Sequence, residues 1–183
     1  MHNLKTIDTN WTLFLDRDGV INHEKHLGYI NTWEEFRLYD GVVEAFLIFA
    51  TRFQHIFIIT NQRGIARGIT KIKDLINIHD NFKESIIASG GRIDQIYYCS
   101  DLEDTSPNRK PNPGMAIQAK KDHPSIDLSK SIMVGNTISD MNFGRNAGIA
   151  MNIFLSTTMK DMPLPNPLID MVFVSLQEFA EAL

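Results

Sequence analysis

Short apolar runs recur along this chain at the spacing of a strand–helix alternation, and most of them end in a cluster of polar residues. WTLFL (11–15), HIFII (55–59), IDQIYYC (93–99), SIMVG (131–135) and MNIFL (151–155) have strand length and are rich in β-branched and aromatic residues, with MVFVS (171–175) a weaker sixth. Continuous apolar runs of this kind suit strands covered on both faces. Helical patterns fill the intervals at 41–52, 70–89, 113–122, 138–147 and 176–182. Asp40 is placed to cap the first helix, Gly90-Gly91 to end the second, and Pro113 to open the third. The alternation predicts an α/β fold with a parallel sheet flanked by helices and right-handed crossovers. Any ligand site should lie beyond the carboxyl ends of the strands. Two long loops, 23–40 and 100–114, interrupt the pattern, and loops of that length in a compact domain are usually functional or disordered.

The 183 residues fit one domain spanning 1–183, and a hydrophobic fraction of 43% with 22% charged residues is ordinary for a soluble globular protein. A net charge of −4 argues against nucleic acid as a partner. One cysteine cannot form an internal disulfide, which favours a reducing compartment. The amino-terminal segment lacks the basic-then-apolar order of a signal peptide, and no apolar run approaches the roughly 20 residues that cross a bilayer. The expectation is a soluble, cytoplasmic protein without a membrane partner; its oligomeric state is left open.

Four polar clusters carry the chemistry. The first strand runs into Asp16-Arg17-Asp18-Gly19, and side chains two apart on an extended chain face the same side. Two neighbouring carboxylates repel, and a divalent cation makes the pair tolerable. Asp16 can then attack phosphorus while Asp18 protonates the leaving oxygen and later activates water. The second strand ends in Thr60-Asn61-Gln62 and an arginine–glycine loop with Arg63 and Arg67, suited to phosphoryl oxygens and to a second anionic group. After the third strand, Arg109 and Lys110 offer positive charge at the transferring group. After the fourth, Gly135-Asn136-Thr137-Ile138-Ser139-Asp140 offers Asp140 either to a metal opposite Asp16 or to the first turn of a helix. Each cluster alone also reads as a solvated turn. Their arrival at successive strand ends, which converge on one crevice in a parallel sheet, favours catalysis.

In order along the chain, DRDGVIN, TNQRGIARG, RKPNPGM and VGNTISDM resemble the four motifs of the haloacid dehalogenase superfamily. The wording of the second and third is similar to the heptose-bisphosphate phosphatase group, while DRDG and NQ are shared with histidinol-phosphate phosphatases. The resemblance implies a Rossmann-like three-layer α/β/α core with a minimal cap and Mg²⁺ as cofactor. By motif position, Asp16 is the nucleophile and Asp18 the acid/base, Thr60, Asn61 and Gln62 bind the phosphoryl group, and Lys110 stabilises its charge. Arg63, Arg67 and Arg109 contact substrate, and Asp16, Asp18 (through its main-chain carbonyl), Asn136 and Asp140 form the metal site. Loops 22–30, 62–69 and 100–110 shape the pocket. A small phosphorylated sugar, heptose 1,7-bisphosphate, is the expected substrate, with histidinol phosphate as the alternative.

Two departures from the family pattern matter. The zinc loop of the heptose enzymes keeps only Cys99 here, with Asp101, Ser106 and Asn108 at the other three ligand positions. One thiol does not make a four-ligand zinc site, so no structural zinc is expected. Asn136 stands where an acidic metal ligand is expected; its amide oxygen can coordinate Mg²⁺ with one negative charge fewer. That substitution also supports a different reading, an attenuated protein that binds phosphorylated ligands and turns them over poorly. His23 and His26 are read as solvated loop residues, Tyr29 and Trp33 as packing, and Met133, Met141, Met151 and Met171 as core.

Overall fold

The computed structural model describes residues 4–25, 27–159 and 161–183; His26 lies outside them. Strands and helices alternate as far as β5, which a loop joins to β6: β1 (Thr12–Leu15), α1 (Val42–Arg52), β2 (His55–Asn61), α2 (Ile72–Ala88), β3 (Gln95–Cys99), α3 (Gly114–Asp122), β4 (Ser131–Gly135), α4 (Ile138–Ala147), β5 (Met151–Leu155), β6 (Met171–Phe173) and α5 (Leu176–Glu181). All six strands are parallel, in the order β3-β2-β1-β4-β5-β6. The chain winds one way from β1 to β3 and the other way from β4 to β6, so the strand order reverses between β1 and β4. In open parallel sheets a crevice opens at that reversal, beyond the carboxyl ends.

The central strands β1, β2, β4 and β5 are apolar on both faces because helices cover both. Leu13, Leu15, Ile56, Ile58, Ile132, Val134, Ile153 and Leu155 point to one side, where they pack with residues of α1, α2 and α5. Phe14, Phe57, Ile59 and Met133 point to the other side, against α3 and α4. The two-residue period therefore sorts one strand's side chains into two cores, which gives the expected three layers. Met133, Met141 and Met151 are fully buried core residues, Met171 is half-buried, and Trp33 packs on the first core.

The helix boundaries refine the sequence expectations. Gly90, at φ 91°, closes α2 in the left-handed conformation that glycine adopts without penalty. Asp40 does not cap α1. Gly41 occupies that position at φ 77°, with no side-chain cap, and a Cβ there would meet the Gln177 side chain at 2.0 Å. A left-handed turn against α5 thus replaces the expected aspartate cap. Pro113 sits one residue before α3, not inside it.

Candidate active site

Lys110 is the centre of the crevice. Its ammonium is buried and uses all three donors: to Asp16 Oδ1 at 2.7 Å, to Asp140 Oδ1 at 2.6 Å and to the Ile59 carbonyl at 2.9 Å. Asn61, at the end of β2, fixes the lysine backbone from both sides. Its amide oxygen accepts the Lys110 N–H at 3.0 Å and its amide nitrogen donates to the Lys110 carbonyl at 3.1 Å. Burial opposes the charge on Lys110, but Asp140 and Asp16 outweigh it and raise its pKa.

Asp16 continues β1 past its last paired residue, with its N–H donating to the Val134 carbonyl of β4 at 2.9 Å. Its Oδ1 accepts from Lys110 and from the Arg17 N–H at 2.7 Å, which leaves Oδ2 for a reacting partner. Burial and the neighbouring Asp140 push its pKa up to about 7 against the pull of Lys110. Asp18, two residues on, accepts four hydrogen bonds from three side chains. Arg17 Nη2 straddles both carboxylate oxygens at 2.9 Å, Asn22 donates to Oδ1 at 2.9 Å, and Gln62 donates to Oδ2 at 2.9 Å. Burial works against its ionised form, but Arg17, Asn22 and Gln62 together hold its pKa below the ordinary value. Two carboxylates in one motif thus have opposite electrostatic settings, Asp16 raised and Asp18 lowered.

Asp140 serves two masters. While Oδ1 accepts from Lys110, Oδ2 accepts from the Thr137 N–H at 3.0 Å and the Thr137 hydroxyl at 2.7 Å, closing a capping box at the start of α4. Gly135 makes room for it, since a Cβ there would lie 2.2 Å from the Asp140 Cβ. Asn136 is fully buried; its nitrogen donates to the Thr158 hydroxyl at 2.7 Å, and its Oδ1 is buried without a partner.

These groups line a cleft of about 150 Å³ with Asp16, Asp18, Thr60, Asn61, Lys110, Thr137, Ser139 and Asp140 around it. A second cavity of about 200 Å³ shares Asp18 and Asn61 with it and is walled by Arg17, Glu24, Lys25, Gly28, Tyr29, Ile30 and Gln62. Gln62 itself bridges Asp18 and the Thr60 hydroxyl, the latter at 2.9 Å. Tyr29 therefore lines a cavity as well as packing. His23 is exposed, stacks on Tyr39 at 3.9 Å, and faces a separate 580 Å³ hollow beside Thr157 and Val174.

The three arginines expected at substrate do not line the cleft. Arg63 and Arg109 both pair with Asp104 on loop 100–112, and Arg67 donates to the Tyr29 hydroxyl at 2.9 Å. That loop is held by side-chain bonds: Ser106 donates to Asp101, and Asn112 to the carbonyls of Asp104 and Ser106. Among the described residues no group of three or more His, Cys, Asp or Glu could hold a metal ion.

Sequence reasoning passed over Arg17, Asn22, His79 and Asp104. Asn22 and Asp104 carry no pattern in the sequence. His79 had one: it is the lone polar member of the buried stripe Leu75, Ile78, His79, Phe82 and Ile86 on α2.

The family described as Polynucleotide kinase 3 phosphatase matches residues 12–161. D-glycero-alpha-D-manno-heptose-1,7-bisphosphate 7-phosphatase of Campylobacter jejuni is 40% identical over 149 residues, covering 81% of this chain and 84% of that protein. D-glycero-beta-D-manno-heptose-1,7-bisphosphate 7-phosphatase of Helicobacter pylori is 37% identical over 163 residues, covering 88% and 90%. The crystal structure of D,D-heptose 1,7-bisphosphate phosphatase from B. bronchiseptica, complexed with magnesium and phosphate, superposes with a TM-score of 0.81 at 26% identity, covering 93% and 96%. The chain belongs to the haloacid dehalogenase superfamily of phosphatases, alongside the heptose-bisphosphate 7-phosphatases.

Proposed function

We propose that this phosphatase hydrolyses D-glycero-D-manno-heptose 1,7-bisphosphate at one phosphate through an aspartyl-phosphate on Asp16. The observation that carries the chemistry is the Asp16–Lys110–Asp140 cluster, which leaves one Asp16 oxygen facing a cleft of phosphate size. Asp16 Oδ2 attacks phosphorus and the bond to the sugar oxygen breaks, with Asp18 giving that oxygen its proton. Water then attacks the phosphoryl group and surrenders a proton to Asp18, which releases phosphate, restores the Asp16 carboxylate and returns Asp18 to its protonated form. The partners that hold the Asp18 pKa down favour the ionised form suited to the second half; the negative charge of an arriving phosphate raises its affinity for the proton needed in the first. The Thr60 hydroxyl meets a phosphoryl oxygen, the Lys110 ammonium beside Asp16 stabilises the phosphoryl charge, and the adjoining 200 Å³ cavity receives the sugar.

The residues present fit a hard divalent cation. Asn136 Oδ1 is a buried oxygen without a partner, and Asp16 is a carboxyl whose charge burial opposes. Asp16, the Asp18 main-chain carbonyl and Asn136 would hold Mg²⁺, with Asp140, already engaged by Lys110 and Thr137, acting through water. When bound, the cation neutralises charge on the nucleophile and on the phosphoryl group.

The substrate assignment rests on the named relatives and on the adjoining cavity. Steady-state kcat/KM across both anomers of heptose 1,7-bisphosphate, histidinol phosphate and other sugar phosphates tests it. Preference for histidinol phosphate would sink the sugar assignment; equal activity of the wild type and Asp16→Asn would sink the chemistry as well.

A further inference from the structure

Arg17 is the largest fully buried side chain of the protein, and its charge is unusual for such a position. Its guanidinium is held by three elements. Nη2 straddles the Asp18 carboxylate, Nη1 lies 3.0 Å from His79 Nε2 on α2, and the carbon Cζ lies 5.6 Å from the centre of the Phe36 ring. A guanidinium has only donors, so His79 Nε2 must be the acceptor and the ring proton must sit on Nδ1. Burial and the Arg17 charge lower the His79 pKa to about 3, against the opposing pull of Asp18, so the ring is neutral. His79 also lines a surface cavity of about 180 Å³ with Asp80 and Lys83, which lets the remaining N–H meet water. A buried cation needs a counter-charge, and here that counter-charge is the acid/base carboxylate itself. The pairing is therefore more than ballast for the fold.

We propose that His79 is a positioning residue for proton transfer: by accepting from Arg17 Nη1 it fixes the guanidinium plane, and the guanidinium in turn aims the Asp18 carboxylate. The proposal rests on Asp18 being the acid/base. With the acceptor gone, Arg17 rotates about its side chain, Asp18 loses its fixed orientation, and leaving-group protonation suffers while phosphate binding by Thr60 and Lys110 does not.

Leaving-group dependence tests this. A sugar alkoxide needs protonation to depart, whereas 4-nitrophenolate departs without it. With the Mg²⁺-loaded enzyme, kcat/KM is measured on an alkyl sugar phosphate and on 4-nitrophenyl phosphate for wild type, Asp18→Asn, His79→Leu and His79→Gln. Asp18→Asn should lose on the order of 100-fold or more on the alkyl ester and far less on the aryl ester. His79→Leu should follow the same pattern at about 10-fold, with KM little changed, and His79→Gln, whose amide oxygen can accept from Arg17, should recover most of the loss. Equal losses on both esters in His79→Leu, no loss on either, or no advantage of glutamine over leucine would each overturn the proposal. Without leaving-group dependence in Asp18→Asn, the acid/base assignment itself falls and takes the His79 role with it. If His79→Leu does not fold, His79→Ala with imidazole added back replaces it: recovery on the alkyl ester supports the proposal and no recovery overturns it.

Discussion

Two charge triads of opposite sense lie on either side of this active site. In the crevice, one cation, Lys110, sits between two carboxylates, Asp16 and Asp140, and the side chains are 3%, 11% and 1% exposed. At the rim, one carboxylate, Asp104, sits between two cations, Arg63 and Arg109, and Asp104 is 83% exposed. The same kind of contact does different work in the two places. Water screens the outer triad and competes for its members, so it is worth little in stability and is free to exchange partners. The inner triad is desolvated, so each member is obligatory for the others. On the proposed mechanism the chemistry uses the buried triad, while the exposed triad outside the cleft is able to rearrange.

The most severe way to break the comparison is Lys110→Met. Two carboxylates would then face each other in a buried cleft, and removing one partner of a buried pair costs about 3–5 kcal/mol. Thermal melting should show a large drop in Tm, with phosphatase activity down on the order of a thousandfold. A loss of activity with unchanged Tm would mean that the inner triad is less interdependent than its burial implies.

The Arg17–His79 pair extends the inner set to a second buried cation, and pH probes it. His79 in the folded protein takes a proton only at about 3, while the unfolded chain takes one near 6.5. The unfolded state therefore binds more protons between those values, and the His79 contribution is intact above pH 6.5 and lost as pH falls toward 3. At pH 5 that amounts to about 2 kcal/mol. The His79→Gln variant should lose less Tm than the wild type between pH 7 and pH 5, and parallel curves would show that His79 titrates normally.

Asn136 sharpens the comparison next. Asn136→Asp adds a negative charge to a fully buried position whose amide oxygen has no partner. Without Mg²⁺ the variant should be less stable than the wild type, because a buried charge is unpaired. With Mg²⁺ the difference should close, and the half-saturating Mg²⁺ concentration should fall by about tenfold. A large rise in activity along with it would mark the native site as attenuated. Unchanged metal affinity would remove Asn136 from the metal site.

What the sequence made legible divides along the same line. The central strands announced themselves because they are covered on both faces and so carry no polar alternation, as in SIMVG and MNIFL, whose bounds match β4 and β5. Asp16, Asp18, Thr60, Asn61, Lys110 and Asp140 were legible because each ends or follows a strand, and a parallel sheet gathers those ends at one crevice. Partnerships were not. Nothing local in the sequence says that Asn61 clasps the Lys110 backbone 49 residues away, or that His79 accepts from Arg17 across 62 residues. The Asp40 cap failed because Asp40 is followed by a glycine whose left-handed turn is set by α5, an element far along the chain. Arg63 and Arg109 were assigned to substrate by motif position, and only the fold reveals Asp104 between them.

Asp104→Asn is the mildest change and the one that tests the outer triad most directly. An exposed ion pair contributes about 0–1 kcal/mol, so Tm should shift by less than a few degrees. The kinetic effect depends on what Asp104 does. As a stand-in for an anionic group of substrate, its carboxylate competes for Arg63 and Arg109, and its neutralisation should lower KM for a bisphosphate by a few-fold while 4-nitrophenyl phosphate, which has no second anion, is unaffected. As a strut for loop 100–112, its loss should instead raise KM, because Asn112 would then tie the Asp104 segment through its main-chain carbonyl. Added salt separates the two further. Screening weakens the competition and the strut alike, but only competition predicts that the advantage of the variant shrinks as ionic strength rises. A KM that does not move for either substrate would show that Arg63 and Arg109 meet no anion of substrate, and selection would then fall to Glu24, Lys25 and Tyr29 in the adjoining cavity.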